Sequence, residues 1–390
     1  MFPSQPQRGF SQRELESRTE NAQRLMRESN LDAMLLTTEP HVRYFSGFLT
    51  QFWQSPTRPW FLLLPATGKP IAVIPTIGVA GMQQTWIDDI RSWSSPQPED
   101  DGISLLLSAI RELPGRFGRL GLTLGAESYL RMPARDYRLL EQELSPMEFV
   151  DCAELMLSLC SIKSTAEIEK IRYICELASD SFNALPGFAK SGQSEREVVC
   201  AMRIDLLQRG ADHTPYIVSA SGKEGYGDII MGPRDRILED GDILIIDTGS
   251  VFDGYYCDFD RNFAFGHASD KARRVYDTLY HSTDAGLAAA RPGATTTDVW
   301  QAMWSVLEAG GATSNDVGRM GHGLGAQLTE WPSLTASDNN PLEPGMVITL
   351  EPGMDFADNK LMVHEENIVI TESGAELLTK RAAAELPVVY

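Results

Sequence analysis

Asp247 and Asp258 stand eleven residues apart in the segment Ile243–Gly266, ILIIDTGSVFDGYYCDFDRNFAFG. Four apolar residues run into Asp247, Asp253-Gly254 supplies turn chemistry, and Tyr255-Tyr256-Cys257 leads back out, which is the pattern of a β-hairpin. Two carboxylates on adjacent strands repel unless something positive lies between them, and divalent metal ions are the natural candidate. Further donors follow downstream. Gly321-His322-Gly323-Leu324-Gly325 sets a lone histidine among glycines, so that backbone can crowd close to whatever the imidazole holds. Thr349-Leu350-Glu351-Pro352-Gly353 ends a strand with a carboxylate at a Pro-Gly turn, and Glu365-Glu366 opens the strand that runs to Thr371. Each feature alone has an ordinary structural reading. Together, Asp247, Asp258, His322, Glu351 and one of the last two glutamates form a set suited to two divalent ions such as Mn, Co, Fe or Zn, bridged by water.

The pieces DTGSVFDGYYCDFDR, GHGLG, LEPG and EENIVIT, in this order, resemble the pita-bread metallohydrolase family, which includes methionine aminopeptidase, prolidase, Xaa-Pro aminopeptidase and creatinase. The helix IKSTAEIEKIR is similar to the segment that opens the catalytic domain of the creatinase and prolidase branch, so the resemblance covers the whole chain. It implies an α+β pita-bread catalytic domain over residues 160–390, behind an α/β creatinase-type N-terminal domain over 1–159. It also implies that Asp247 chelates one metal, that Asp258 and the last glutamate bridge both, and that His322 and Glu351 hold the second. The family places that glutamate six residues before the strand-ending threonine. This favours Glu365 over Glu366, though the sequence alone does not separate the two. Strand alternation sends them to opposite faces, and His364 is then expected to point away from the metals.

The same resemblance exposes two departures. Peptidases of this family carry two further histidines beside the metals, and the matching positions here are Thr329 and Ile230. Neither side chain relays a proton as imidazole does. The expectation is therefore a dinuclear metal-dependent hydrolase that cleaves a C–N bond in a small polar or zwitterionic molecule, with Glu351 as the proton shuttle. The alternatives are an Xaa-Pro dipeptidase or aminopeptidase and a metal-dependent lyase. The stretch TEWPS resembles a dimethylsulfoniopropionate lyase on the same fold, but Gly249 stands where that enzyme has an acidic residue. In creatinase-like dimers the region around residues 51–60 of one subunit caps the other subunit's site. Arg58 is expected to clamp a carboxylate, Thr329 to line the substrate site, and Trp53 and Trp331 to offer π faces to a cation. Trp60 is expected to be core or dimer interface.

The elements that must position these groups are legible in the periodicity. Ser11–Glu28 reads as a helix, and Asp32–Leu36, Trp60–Leu64, Ile71–Pro75 and Leu120–Leu124 as strands, with a helix over Ile103–Leu113. Helices follow at 166–189, 194–209, 270–291 and 296–310, then strands punctuated by glycine and proline. A chain of 390 residues has room for two full cores. The net charge of −20 argues against nucleic acid or anionic membrane as a partner. The polar N-terminus lacks a signal-peptide pattern, and no apolar run approaches the roughly 20 residues of a membrane helix, so a cytoplasmic location is expected. The five cysteines show no zinc-type spacing and read as reduced packing residues.

Overall fold

Ser164, Ser194 and Thr295 each begin a helix by the same device. The hydroxyl accepts from the backbone N–H three residues on, while the acid at that position (Glu167, Glu197 or Asp298) reaches back to the cap. The helices they start, Thr165–Ala184, Glu195–Arg209 and Thr296–Ala309, belong with Asp270–Ala289 to the C-terminal unit of a computed structural model that describes residues 4–314 and 318–390. The chain divides into two compact units, Arg8–Cys160 and Ser161–Tyr390, the second joined by the N-terminal stretch up to Gln7.

The N-terminal unit is a six-stranded mixed sheet ordered Asp89–Trp93, Ile71–Pro75, Phe61–Pro65, Ala33–Leu36, Arg119–Leu122, Glu148–Asp151. Its strands alternate strictly between two cores. Met34, Leu36, Leu62, Leu64, Ala72 and Ile74 pack on one face, and Ala33, Leu35, Phe61, Leu63, Val73 and Leu122 on the other. Two of these strands lack a clear sequence signal, and Asp89–Trp93 is the plainer case, being a charged, half-exposed edge with no apolar run.

The C-terminal unit holds the chemistry. One sheet is ordered Val388–Val389, Phe259–Phe265, Asp242–Phe252, His213–Lys223. A second is ordered Glu330–Ser333, His322–Gly323, Val347–Leu350, Glu366–Thr371, Gly374–Leu377. Helices segregated from largely antiparallel strands make the unit α+β, as expected. Among the described residues no helix is long and apolar enough to cross a membrane. Cys152, Cys175 and Cys257 are buried free thiols. Cys200 is exposed, which corrects its reading as a packing residue.

Candidate metal centre

The hairpin turns on Asp253 and Gly254, whose φ values of 47° and 76° are the left-handed pair that a two-residue hairpin loop demands. With Phe252 opposite Tyr255, the register brings Asp260 directly across from Asp247. At Asp258 a side chain stands in for a strand. Asn367 accepts from the Asp258 backbone N–H at 3.0 Å and donates to the Asp258 carbonyl, tying the hairpin to the second sheet.

His322 arrives from that second sheet. The preceding Gly321 has φ 148° and lies where a Cβ would stand 2.2 Å from the Thr349 carbonyl, so only glycine permits the approach. The imidazole Nδ1–H donates to the Gly323 carbonyl at 2.7 Å, which fixes the tautomer and leaves the Nε2 lone pair facing Asp258 Oδ2 at 3.4 Å. Glu351 follows the strand Val347–Leu350, and Glu365 precedes its partner Glu366–Thr371. All five of these side chains line one cavity of about 230 Å³, and donor atoms of Asp258, His322 and Glu365 lie within 4.8 Å of one another.

The electrostatics are those of carboxylates awaiting a cation. Burial and the neighbouring Asp258 and Glu351 hold the Asp247 carboxyl well above its ordinary range, and burial does the same for Asp258. Glu365 is raised by burial and then by Asp258, Glu351, Asp247 and Asp260. Glu351 is raised by burial, against the lowering effect of His322, and its carboxyl faces that of Glu365. His322 is lowered by burial, which keeps it a neutral donor. Asp247 Oδ1 and Glu365 Oε1 are buried with no hydrogen-bond partner. Orphaned anionic oxygens beside a neutral imidazole of fixed tautomer fit divalent metal and are costly otherwise.

Comparison with known proteins agrees with this geometry. The model of metallopeptidase family M24 matches residues 169–372, and that of the creatinase/prolidase N-terminal domain matches residues 18–162. The chain belongs to metallopeptidase family M24. It is 28% identical over 371 residues to the peptidase YqhT of Bacillus subtilis, covering 92% of this chain and 97% of that one. It is also 28% identical over 263 residues to the Xaa-Pro dipeptidase of Pyrococcus furiosus, covering 66% of this chain and 74% of that one. The crystal structure of dipeptidase PepE from Mycobacterium ulcerans superposes with a TM-score of 0.84 at 26% identity, covering 98% of this chain and 99% of that one. The protein is thus an M24-family, metal-dependent hydrolase.

Within this M24 frame the expected site residues separate into groups. Asp247, Asp258, His322, Glu351, Glu365 and Thr329 share the cavity. Glu366 turns the other way, bonded to Arg261 at 2.9 Å, to Arg381 at 3.1 Å and to the Ala382 N–H at 2.9 Å. His364 lies outside the cavity lining, against Thr283 and Arg381 at 3.1 and 3.2 Å. Two expectations need correction. Trp53 is buried in the N-terminal core, packed on Trp60 with centroids 5.8 Å apart and covered by the Arg131 guanidinium at 5.2 Å, so its π face already has a cation. Trp331 packs against the core of the C-terminal unit and is not among the residues lining the cavity. Arg58 lies over Phe52 at 5.2 Å, and its Nε is buried with no hydrogen-bond partner.

Three polar lining residues are not among the expected site residues: Tyr216 and Arg319 lie outside the motifs, and Asp260 lies within the first of them. Tyr216 lines the cavity beside Asp247, and burial followed by the Asp247 charge raises that phenol. Asp260 is buried, and burial followed by Asp247 pushes its carboxyl well up. Arg319 is the third.

Proposed function

We propose that the protein is a dinuclear metal-dependent hydrolase that cleaves a C–N bond in a small polar or zwitterionic substrate, and that it is not an ordinary Xaa-Pro peptidase. One observation carries this reading: the metal donors converge, while Thr329 and Ile230 line the same cavity where the family's peptidases have imidazoles, and His322 is the one histidine among the described lining residues. Asp247, Asp258, His322, Glu351 and Glu365 would hold two ions of Mn, Co, Fe or Zn. When bound, such ions polarise a carbonyl and make water nucleophilic at neutral pH. Glu351, whose side chain is 22% exposed, would take the proton from water and pass it to the leaving nitrogen. The Gly323 carbonyl holds His322 in its ligating tautomer. Ile229, Leu328 and Val363 close the apolar side against bulk water.

With Mn- or Co-loaded protein, Xaa-Pro dipeptides and tripeptides should turn over some 10²–10⁴-fold more slowly than expected of a peptidase, the usual consequence of lost acid–base groups. Turnover at ordinary peptidase rates would instead support the second reading, an Xaa-Pro dipeptidase, which the name of the Pyrococcus furiosus relative favours.

The reading includes a two-fold dimer in which Arg58 of one chain reaches the metal cavity of the other. Its motivation is the Arg58 guanidinium, which lies over Phe52 and has no ion-pair partner among the described residues, a charge left for an anion from outside the chain. Arg58→Ala should then raise KM at unchanged metal content, and mixing it with Asp258→Ala should restore part of the activity through hybrid dimers. Full activity in a monomer would exclude the shared site.

A further inference from the structure

The cavity contains a cation that the metal-ligand set does not use. Arg319 lines it and keeps about a third of its side chain exposed. Among the described residues its one ion-pair neighbour within 4 Å is Glu351, whose Oε1 lies 3.8 Å from Nε, beyond hydrogen-bond reach. The two terminal nitrogens of the guanidinium rest on neutral hydroxyls instead, one donating to Thr329 Oγ1 at 3.2 Å and the other to Ser333 Oγ at 3.4 Å. These contacts orient the fork without neutralising it.

Charge counting then decides what the guanidinium faces. This step rests on the dinuclear reading above. The four carboxylates of Asp247, Asp258, Glu351 and Glu365 are balanced by two divalent ions, and the fifth carboxyl of the cavity, Asp260, has the Arg261 cation beside it, so once the metals are in place Glu351 no longer serves as a counter-ion for Arg319. A fixed positive charge is left at the Thr329 side of a cavity of about 230 Å³, space for roughly eight waters. The remaining wall there is apolar, and Ile230 at the rim is 75% exposed. A site of this size cannot gain much affinity from apolar area alone, so a charge-assisted pair is its strongest available contact.

We propose that Arg319 receives the carboxylate of the substrate, so that the cavity selects short acids over their neutral analogues. The threonine at position 329 belongs to the same device. In place of an imidazole it presents a hydroxyl that holds the guanidinium fork in position, and the proton-relay position has become part of an anion seat.

The test compares an acid with its amide, using proline and prolinamide as probes and Mn-loaded protein whose metal content is measured separately. The parent should bind proline at least about tenfold more tightly than prolinamide, the scale of one charge-assisted hydrogen-bonded contact. Arg319→Ala should abolish that preference with metal content unchanged. Arg319→Lys, which keeps the charge but loses the fork, should retain part of it, and it serves as the informative variant if the alanine form does not fold. A preference that survives in both variants would mean the metals read the carboxylate and would overturn the proposal. So would equal affinity of the parent for acid and amide, or failure of the parent to bind the acid. A parent with metal content near zero would strike the dinuclear reading itself, which the elemental analysis registers independently of either probe.

Discussion

Glu365 and Glu366 are chain neighbours at the mouth of one strand, 3% and 0% exposed, and they meet opposite fates. Glu366 lies among Arg261, Arg381, Thr379 and the Ala382 N–H, and these outweigh burial to hold its carboxyl below the ordinary range. Glu365 lies among Asp258, Glu351, Asp247 and Asp260, has a partnerless oxygen, and is pushed well up. The cost of burying a carboxylate is the same on both sides of the strand, but only one side supplies the compensation from within the chain. Where a fold can surround a buried acid with guanidinium and hydroxyl groups and does so one residue away, leaving the neighbouring acid bare points to a compensating charge from outside. Compensated acids mark architecture, and uncompensated ones mark the site.

The comparison can be broken by neutralising each acid in turn and measuring the denaturant stability of metal-free protein. Glu366→Gln leaves two largely buried guanidinium groups without their shared anion and should cost about 3 kcal/mol. Glu365→Gln removes like-charge repulsion and should add on the order of 1 kcal/mol to the metal-free form while impairing metal retention. Equal losses in the two variants would show that the two sides are not electrostatically distinct.

A smaller effect sharpens the same contrast. Asp247, Asp258 and Glu365 have folded-state pKa values above their unfolded ones. Their contribution to metal-free stability is therefore full below about pH 4 and is lost as pH rises through the folded values. Glu366 behaves oppositely, its contribution being present above the unfolded value and lost as pH falls through the lowered folded one. Raising the pH from about 5.5 to 8 should thus lower the melting temperature of the metal-free parent by more than that of Glu365→Gln. Bound metal should reverse the trend, because its ligands must be deprotonated. Parallel melting curves for parent and variant across that range would contradict the assignment of Glu365 to the uncompensated side.

Much of this architecture is legible in the amino-acid sequence. The Asp253-Gly254 turn specifies a hairpin, and strong periodicity marks the helices Thr165–Ala184 and Asp270–Ala289. Asp260 is within reach of the same reasoning. With Asp253 and Gly254 as the two loop residues, counting outward places it opposite Asp247. Tyr216 and Arg319 are beyond such counting. Tyr216 comes from a third strand whose register is shifted between His213 and Tyr216, and Arg319 sits outside any regular element, so only tertiary packing brings either to the cavity. The aromatic expectations fail for a related reason. Trp53 and Trp331 are amphipathic side chains whose sequence setting does not say which face is covered; the fold buries Trp53 and packs the half-buried Trp331 against the C-terminal core.

The central claim is that the uncompensated side of that strand is a dinuclear metal site. Elemental analysis of protein expressed in metal-replete medium and freed of loosely bound ions tests it most directly, with Asp258→Ala measured in parallel. The account predicts close to two divalent ions per chain in the parent and close to none in the variant, since Asp258 would bridge both. A parent that retains no metal, or an Asp258→Ala protein that retains as much as the parent, would contradict it.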